Sequence, residues 1–156
     1  MLNKCGEGYV QVCVLILVLC LIISVLLTLI YAVNFVRLTE RNIKTVLENY
    51  VTANSIRIYN SIKQGTNETE AIDEDEFIDN LCGFASFTRG HSYLYHSSGG
   101  EEADYYITVP RVRFAEHNKL RLVVTCNVFI PLRFLGNLVT TAEVPLTVKL
   151  NLEGKF

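Results

Sequence analysis

Apolar residues crowd one end of this chain and alternate with polar ones at the other. From Gly8 to Val36 there is no charged residue, and Val12 to Val33 is interrupted only by Ser24 and Thr28. A run of that length exceeds the roughly 20 residues that cross a bilayer as a helix, so residues 9–36 are expected to form a transmembrane helix. A cleaved secretory signal has a shorter apolar core, about 7 to 15 residues, followed by a small-residue cleavage site. Nothing of that kind follows Val33.

No Gly or Pro occurs between Gly8 and Gly65, and Glu40, Arg41, Lys44, Leu47 and Glu48 favour helix. The helix is therefore expected to run on from the membrane without a break to residue 64, with residues 37–64 as an amphipathic extension. Ile43, Val46, Leu47, Tyr50 and Ala53 fall at spacings of three and four, and Ile56, Tyr59 and Ile62 carry the apolar stripe onward. Either the chain's own sheet packs on that stripe or neighbouring subunits share it as an assembly face.

The polar half, residues 65–156, reads as one small α+β domain. Gly65 to Glu70 is a linker. Asp73 followed by Glu76 resembles a capped helix start, with Phe77, Ile78 and Leu81 inward and Gly83 as the stop. Residues 84–104 lack a period and suggest an exposed loop with room for a short strand, where Tyr93, Tyr95, His91 and His96 form either a contact surface or ordinary loop packing. Leu120 to Val128 alternates, with apolar residues at the even positions, and Ala142 to Leu152 alternates more cleanly. Tyr105 to Phe114 makes a third strand, paired to the second through a turn at Glu116, His117 and Asn118. Pro110 and Pro145 mark edges or bulges, and Pro131 to Leu138 fits a short helix between the last two strands. The predicted architecture is a long N-terminal helix packed on a small antiparallel sheet of about three to four strands.

Composition narrows the functional classes. The net charge is −2 and the basic residues are scattered along the sequence, so no stripe for nucleic acid is evident and none is expected as a partner. The run Asp73, Glu74, Asp75, Glu76 lacks the alternating ligands and sixth-position glycine of a calcium loop, and no metal or other cofactor is expected. No serine-histidine-acid grouping, phosphate loop or metal-spaced histidine pair is present, so the chain does not read as an enzyme. Cys5, Cys13 and Cys20 lie in or beside the apolar run. Cys82 and Cys126 either bridge a loop of about 45 residues, contributing roughly 2 to 4 kcal/mol, or remain two separate buried thiols.

The segment Lys4, Cys5, Gly6, Glu7, Gly8, Tyr9, Val10, Gln11 directly before the apolar helix resembles the entry of type IV pilin-like proteins. More specifically, the chain looks like the TadE-like minor pseudopilins of tight-adherence systems and related small proteins of Gram-positive mobile elements. The ending is similar too: a strand, then Ile130 to Gly136, then an alternating terminal strand finishing near Glu153. The resemblance covers the chain in order. It implies a leader-like segment at residues 1–8, prepilin-peptidase cleavage after Gly6 with Glu7 as the first mature residue, and a C-terminal domain outside the cytoplasm. It also implies assembly with other pilin-like subunits of a pilus, secretion or conjugation-type apparatus. The family usually carries an acid at the fifth mature position; here Gln11 stands there, which removes the ion pair to a neighbour's amine. Arg37, Arg41 and Lys44 after the span outnumber Lys4 and the α-amino group before it, and that count alone favours a cytoplasmic domain. The alternative function is a monomeric, tethered extracellular binding or sensor domain.

Overall fold

The computed structural model describes residues 4–64, 72–99, 103–115, 118–134 and 137–152. Among these described residues three helices precede and six strands follow: α1 (Lys4–Ala53), α2 (Ser55–Gln64), α3 (Glu74–Ala85), β1 (Phe87–Arg89), β2 (Tyr93–His96), β3 (Tyr105–Thr108), β4 (Arg111–Ala115), β5 (Asn118–Phe134) and β6 (Asn137–Asn151). The class is α+β, as the sequence predicts. The chain divides into two compact units, Met1–Asn34 and Phe35–Phe156.

The first unit is the apolar part of α1. It is the one helix among the described residues that is long and apolar enough to cross a membrane, and its apolar window is not buried by the protein. Within it Thr28 Oγ1 donates to the Ser24 carbonyl at 2.9 Å, the i to i−4 bond that lets a hydroxyl sit in a helix without an outside partner.

The second unit starts at Phe35, so the amphipathic extension belongs to the same compact body as the sheet. Ile43, Val46, Leu47, Tyr50 and Val51 are buried there. The helix is interrupted at Asn54, where the sequence suggests no break. The Asn54 amide donates to the Tyr50 carbonyl at 3.2 Å and to Glu76 Oε1 at 3.2 Å, and an asparagine that competes for helix carbonyls in this way favours a break. Beyond it the apolar stripe shifts phase, with Ile58 and Ser61 buried and Ile56 exposed.

Asp73 caps α3, its carboxylate accepting from Glu76 N at 3.1 Å. The helix does not stop at Gly83. It runs to Ala85 and ends on Ser86, a non-glycine residue at φ 54° whose N–H bonds the Cys82 carbonyl. Asp75 and Asp79 pair with Arg89, Glu76 pairs with Arg57, and Glu74 accepts from Val112 N at 3.1 Å. The acidic run thus fastens α3 to α2, β1 and β4.

The sheet is antiparallel and has six strands, more than the predicted three to four. The loop expected at 84–104 contains β1 and β2, strands of three and four residues, too short to display alternation. β5 is central. β6 lines one edge of it from Arg121↔Asn151 to Phe134↔Asn137, while β3 and β4 share the other edge, separated by Val109 and Pro110. The helix expected at Pro131 to Leu138 does not form. Residues 131–134 instead extend β5 and residues 137–138 begin β6, with Pro131 opposite Thr141. Pro131 lies past the last β3 pairing, at Phe129, so its missing N–H costs no ladder bond on that side. Pro145 falls on the edge strand β6, as expected. The predicted turn at Glu116 and His117, the residues Leu135 and Gly136, and the linker Gly65 to Glu70 lie outside the described residues.

Candidate interaction surface

Strand alternation gives the sheet two faces of different chemistry. The inner face carries Leu94, Tyr105, Ile107, Val124, Cys126, Val128 and Ile130, all buried. Near the point where the chain enters this unit, the Phe35 ring lies 4.8 Å from that of Tyr105. The Thr39 hydroxyl is buried beside the Tyr105 phenol. Neither oxygen meets full hydrogen-bond geometry with any group among the described residues. Burial pushes the Tyr105 phenol up from its ordinary range, keeping the pair neutral.

The outer face begins with a cross-strand aromatic row. Tyr95 on β2 pairs with Tyr106 on β3, which pairs with Phe129 on β5. Tyr106 and Phe129 stack at 5.0 Å and 8°, and Tyr93 meets both edge-on at 5.3 and 5.9 Å. Such contacts supply about 0.5 to 1.5 kcal/mol per pair beyond burial. Tyr95 remains 40 % exposed. Gly90 makes its position available: a Cβ there would lie 2.5 Å from the Tyr95 ring and 3.0 Å from the Tyr93 carbonyl.

Farther along the same face, the gap between β3 and β4 opens a depression of about 590 Å³, within the size range of small-ligand sites. It is lined by Glu74, Ser92, Thr108, Val109, Arg111, Thr125, Cys126 and Asn127. Thr108 Oγ1 accepts from Asn127 N at 2.9 Å, and the Asn127 amide donates to Glu143 at 2.7 Å. Arg111 in the lining of this depression, and Arg113, Arg121 and Lys149 on the same face, are each exposed. Arg113 and Lys149 flank Val123 in the register. None of the four has an ion-pair partner among the described residues.

No protein-family model, no curated protein and no solved structure matches the chain.

The outer face can stack planar or sugar-like groups on one half and attract anionic ones on the other. Its cations are scattered in sequence and gathered by the fold. The signal for them was present in the odd positions of the alternating strands, opposite the apolar ones. Of the loop residues singled out from sequence, Tyr93 and Tyr95 join the aromatic row, and His91 is exposed at the β1–β2 turn. His96 turns to the other side, stacked on Tyr105 at 4.8 Å with Nδ1 3.7 Å from Asp104 Oδ2.

The predicted assembly face separates into two parts. Ile43, Val46, Leu47 and Tyr50 are buried in the chain's own domain and are unavailable to another subunit, because the sheet and α3 supply their partners. Ala53, Ile56 and Tyr59 are exposed and Ile62 is half-buried. A shallow groove of about 280 Å³ runs between α1 and α3 past Ala53, Asn80 and the exposed ring of Phe84.

Cys82 and Cys126 are both free thiols in the structure. Cys82 is half-buried on α3, where burial and the neighbouring Asp79 push its pKa up. Cys126 is buried in β5, and burial pushes it up to about 12, which leaves no thiolate for nucleophilic chemistry. Cys13, Cys20 and Gln11 are exposed on α1. Gly6 and Glu7 lie in its first turns, and their side-chain surroundings are outside the described residues. No group of three or more potential metal ligands occurs among the described residues.

Proposed function

We propose that the chain is a membrane-anchored, pilin-like structural subunit that assembles laterally through the apolar half of α1 and displays the outer sheet face outside the cytoplasm. The observation that carries this reading is the division of labour within α1. Its later turns form the core of the domain, whereas the preceding turns are apolar all round and have no protein cover. Lipid or neighbouring helices must supply that cover. Its work is packing and contact, without turnover.

Cys13 and Cys20 are seven residues apart and share one helix face with Ser24 and Thr28, small residues of the kind that let helices approach closely in a bilayer. They serve as native reporters. Oxidation of membranes from cells making the protein is expected to give a covalent pair that disappears in the Cys13→Ser, Cys20→Ser variant. The mature chain is expected to begin at Glu7 by intact mass. A monomer under oxidation together with an intact Met1 would sink this reading.

The aromatic row and the four unpaired cations favour a second reading, a tethered binding domain acting as a monomer. In that case Tyr95→Ala abolishes ligand capture, and oxidation yields no covalent pair.

A further inference from the structure

The β5–β6 hairpin reaches past the rest of the sheet. Tyr106 pairs with Phe129, which places Tyr105 level with Ile130 and Ala142. From there β5 and β6 continue alone, through Leu132↔Thr140 to Phe134↔Asn137. Leu138 and Val139 therefore lie three to four residues beyond Tyr105, roughly 10 to 13 Å at about 3.3 Å per residue. A register shift between Leu132 and Arg133 leaves Val139 as the extra residue of a bulge, a feature that re-aims side chains at sheet ends. Leu138 is 61 % exposed and Val139 68 %, and the exposed residues Thr140 and Thr141 follow.

This end of the sheet is also where the chain enters the domain, since the Phe35 ring rests on Tyr105. Phe35 is one residue from the close of the uncharged run, and Arg37 is the first charge after it. By chain connectivity alone, the boundary of the apolar layer lies within about one helical turn of Phe35. The hairpin tip projects from the same end, on the side away from the inner turns of α1. The outward N–H and C=O groups of a two-stranded hairpin have no strand partner, which suits the hydrated headgroup interface, where water satisfies them, and not the hydrocarbon core.

We infer that the β5–β6 tip is a second membrane contact, with Leu138 and Val139 set into the lipid interface beside the point where α1 emerges. This rests on the reading of α1 as a membrane anchor. A domain held at two points keeps a fixed tilt, which fixes the direction in which its outer face looks.

The chain contains no tryptophan, so a single introduced indole is an unambiguous reporter. Leu138→Trp, Val139→Trp and Lys149→Trp, the last at the other end of β6, would be made in the full chain. Each would be reconstituted into phosphatidylcholine and phosphatidylglycerol vesicles with or without brominated acyl chains. For both tip positions the expected result is blue-shifted emission, at least twofold quenching by the brominated lipid, and protection from acrylamide. Lys149→Trp is expected to show the reverse. Quenching by acrylamide alone at the tip would overturn the inference, and so would protection from both quenchers, which would mean cover by a second copy. Each tip position is read separately, so either variant carries the test if the other does not accumulate. Flotation separates the two readings: protein that fails to float with vesicles overturns the anchor and the tip together, whereas floating protein with a water-exposed tip overturns the tip alone.

Discussion

The phenol of Tyr50 accepts a hydrogen bond from the backbone N–H of Asp73 at 2.8 Å, joining the inner turns of α1 to the residue that caps α3. The same oxygen accepts from the Arg57 guanidinium at 2.7 Å, and the ring meets Phe77 edge-on at 5.9 Å. Tyr50→Phe keeps the ring contact and leaves the Asp73 N–H without its acceptor, while Arg57 retains Glu76. A loss of about 1 to 3 kcal/mol is expected, read as a lower unfolding midpoint in urea with an unchanged slope.

Thiol labelling should separate the cysteines of the domain. Cys126, with its pKa raised to about 12 by burial, is expected to resist maleimide at pH 8 until denaturant is added, while the half-buried Cys82 labels in the native state. Because both are free, protein alkylated in denaturant should have one mass with or without prior reduction. Two further alkyl groups on the reduced sample would restore a bridge.

Asp104 ties the β2–β3 connection by accepting from Ser98 N at 2.7 Å and from the Ser98 hydroxyl. These bonds, with His96 nearby, hold its carboxyl below the ordinary carboxylate range against the opposing effect of partial burial. A depressed acid stabilises above its unfolded pKa, and that contribution is lost as pH falls through the folded value. Acidification below about pH 4 should therefore release the Ser98 amide, seen as faster hydrogen exchange there than in the Asp104→Asn variant's own pH trend predicts. An Asp104 carboxyl titrating at or above its ordinary value by NMR would contradict this.

Gly90→Ala tests the aromatic row. The new Cβ requires the Tyr95 ring to move, so the near-ultraviolet dichroism of the tyrosines is expected to weaken at a stability cost on the order of 1 kcal/mol, with the far-ultraviolet spectrum unchanged. An unaltered tyrosine signal would show that Tyr95 is not seated against Gly90.

The two long strands were legible in the sequence because each buries one face only, and a half-buried strand writes its period into the residues. The long apolar helix was legible for a related reason, a uniform composition along one stretch. Pro131 to Leu138 was not, because Leu132 and Leu138 with a proline in front satisfy a helical pattern as well as a hairpin's. Only the partner strand decides between them, and pairing is not a local property. Ile43, Val46, Leu47 and Tyr50 show a similar limit: periodicity marks a face that will be covered without saying whether by the same chain or another. The outer-face cations come together through the register of β4, β5 and β6, which no spacing within one strand records.

The placement of β5 between β6 on one side and β3 with β4 on the other has a consequence for the order of folding. β6 follows β5 in the chain, and Leu146, Val148, Leu150 and Leu152 complete the core. Until those residues have been synthesised, β5 has an open edge and the inner turns of α1 lack part of their cover. The domain therefore closes only after synthesis has passed Leu152, and a stop codon between β5 and β6 would do more damage than many substitutions within β5.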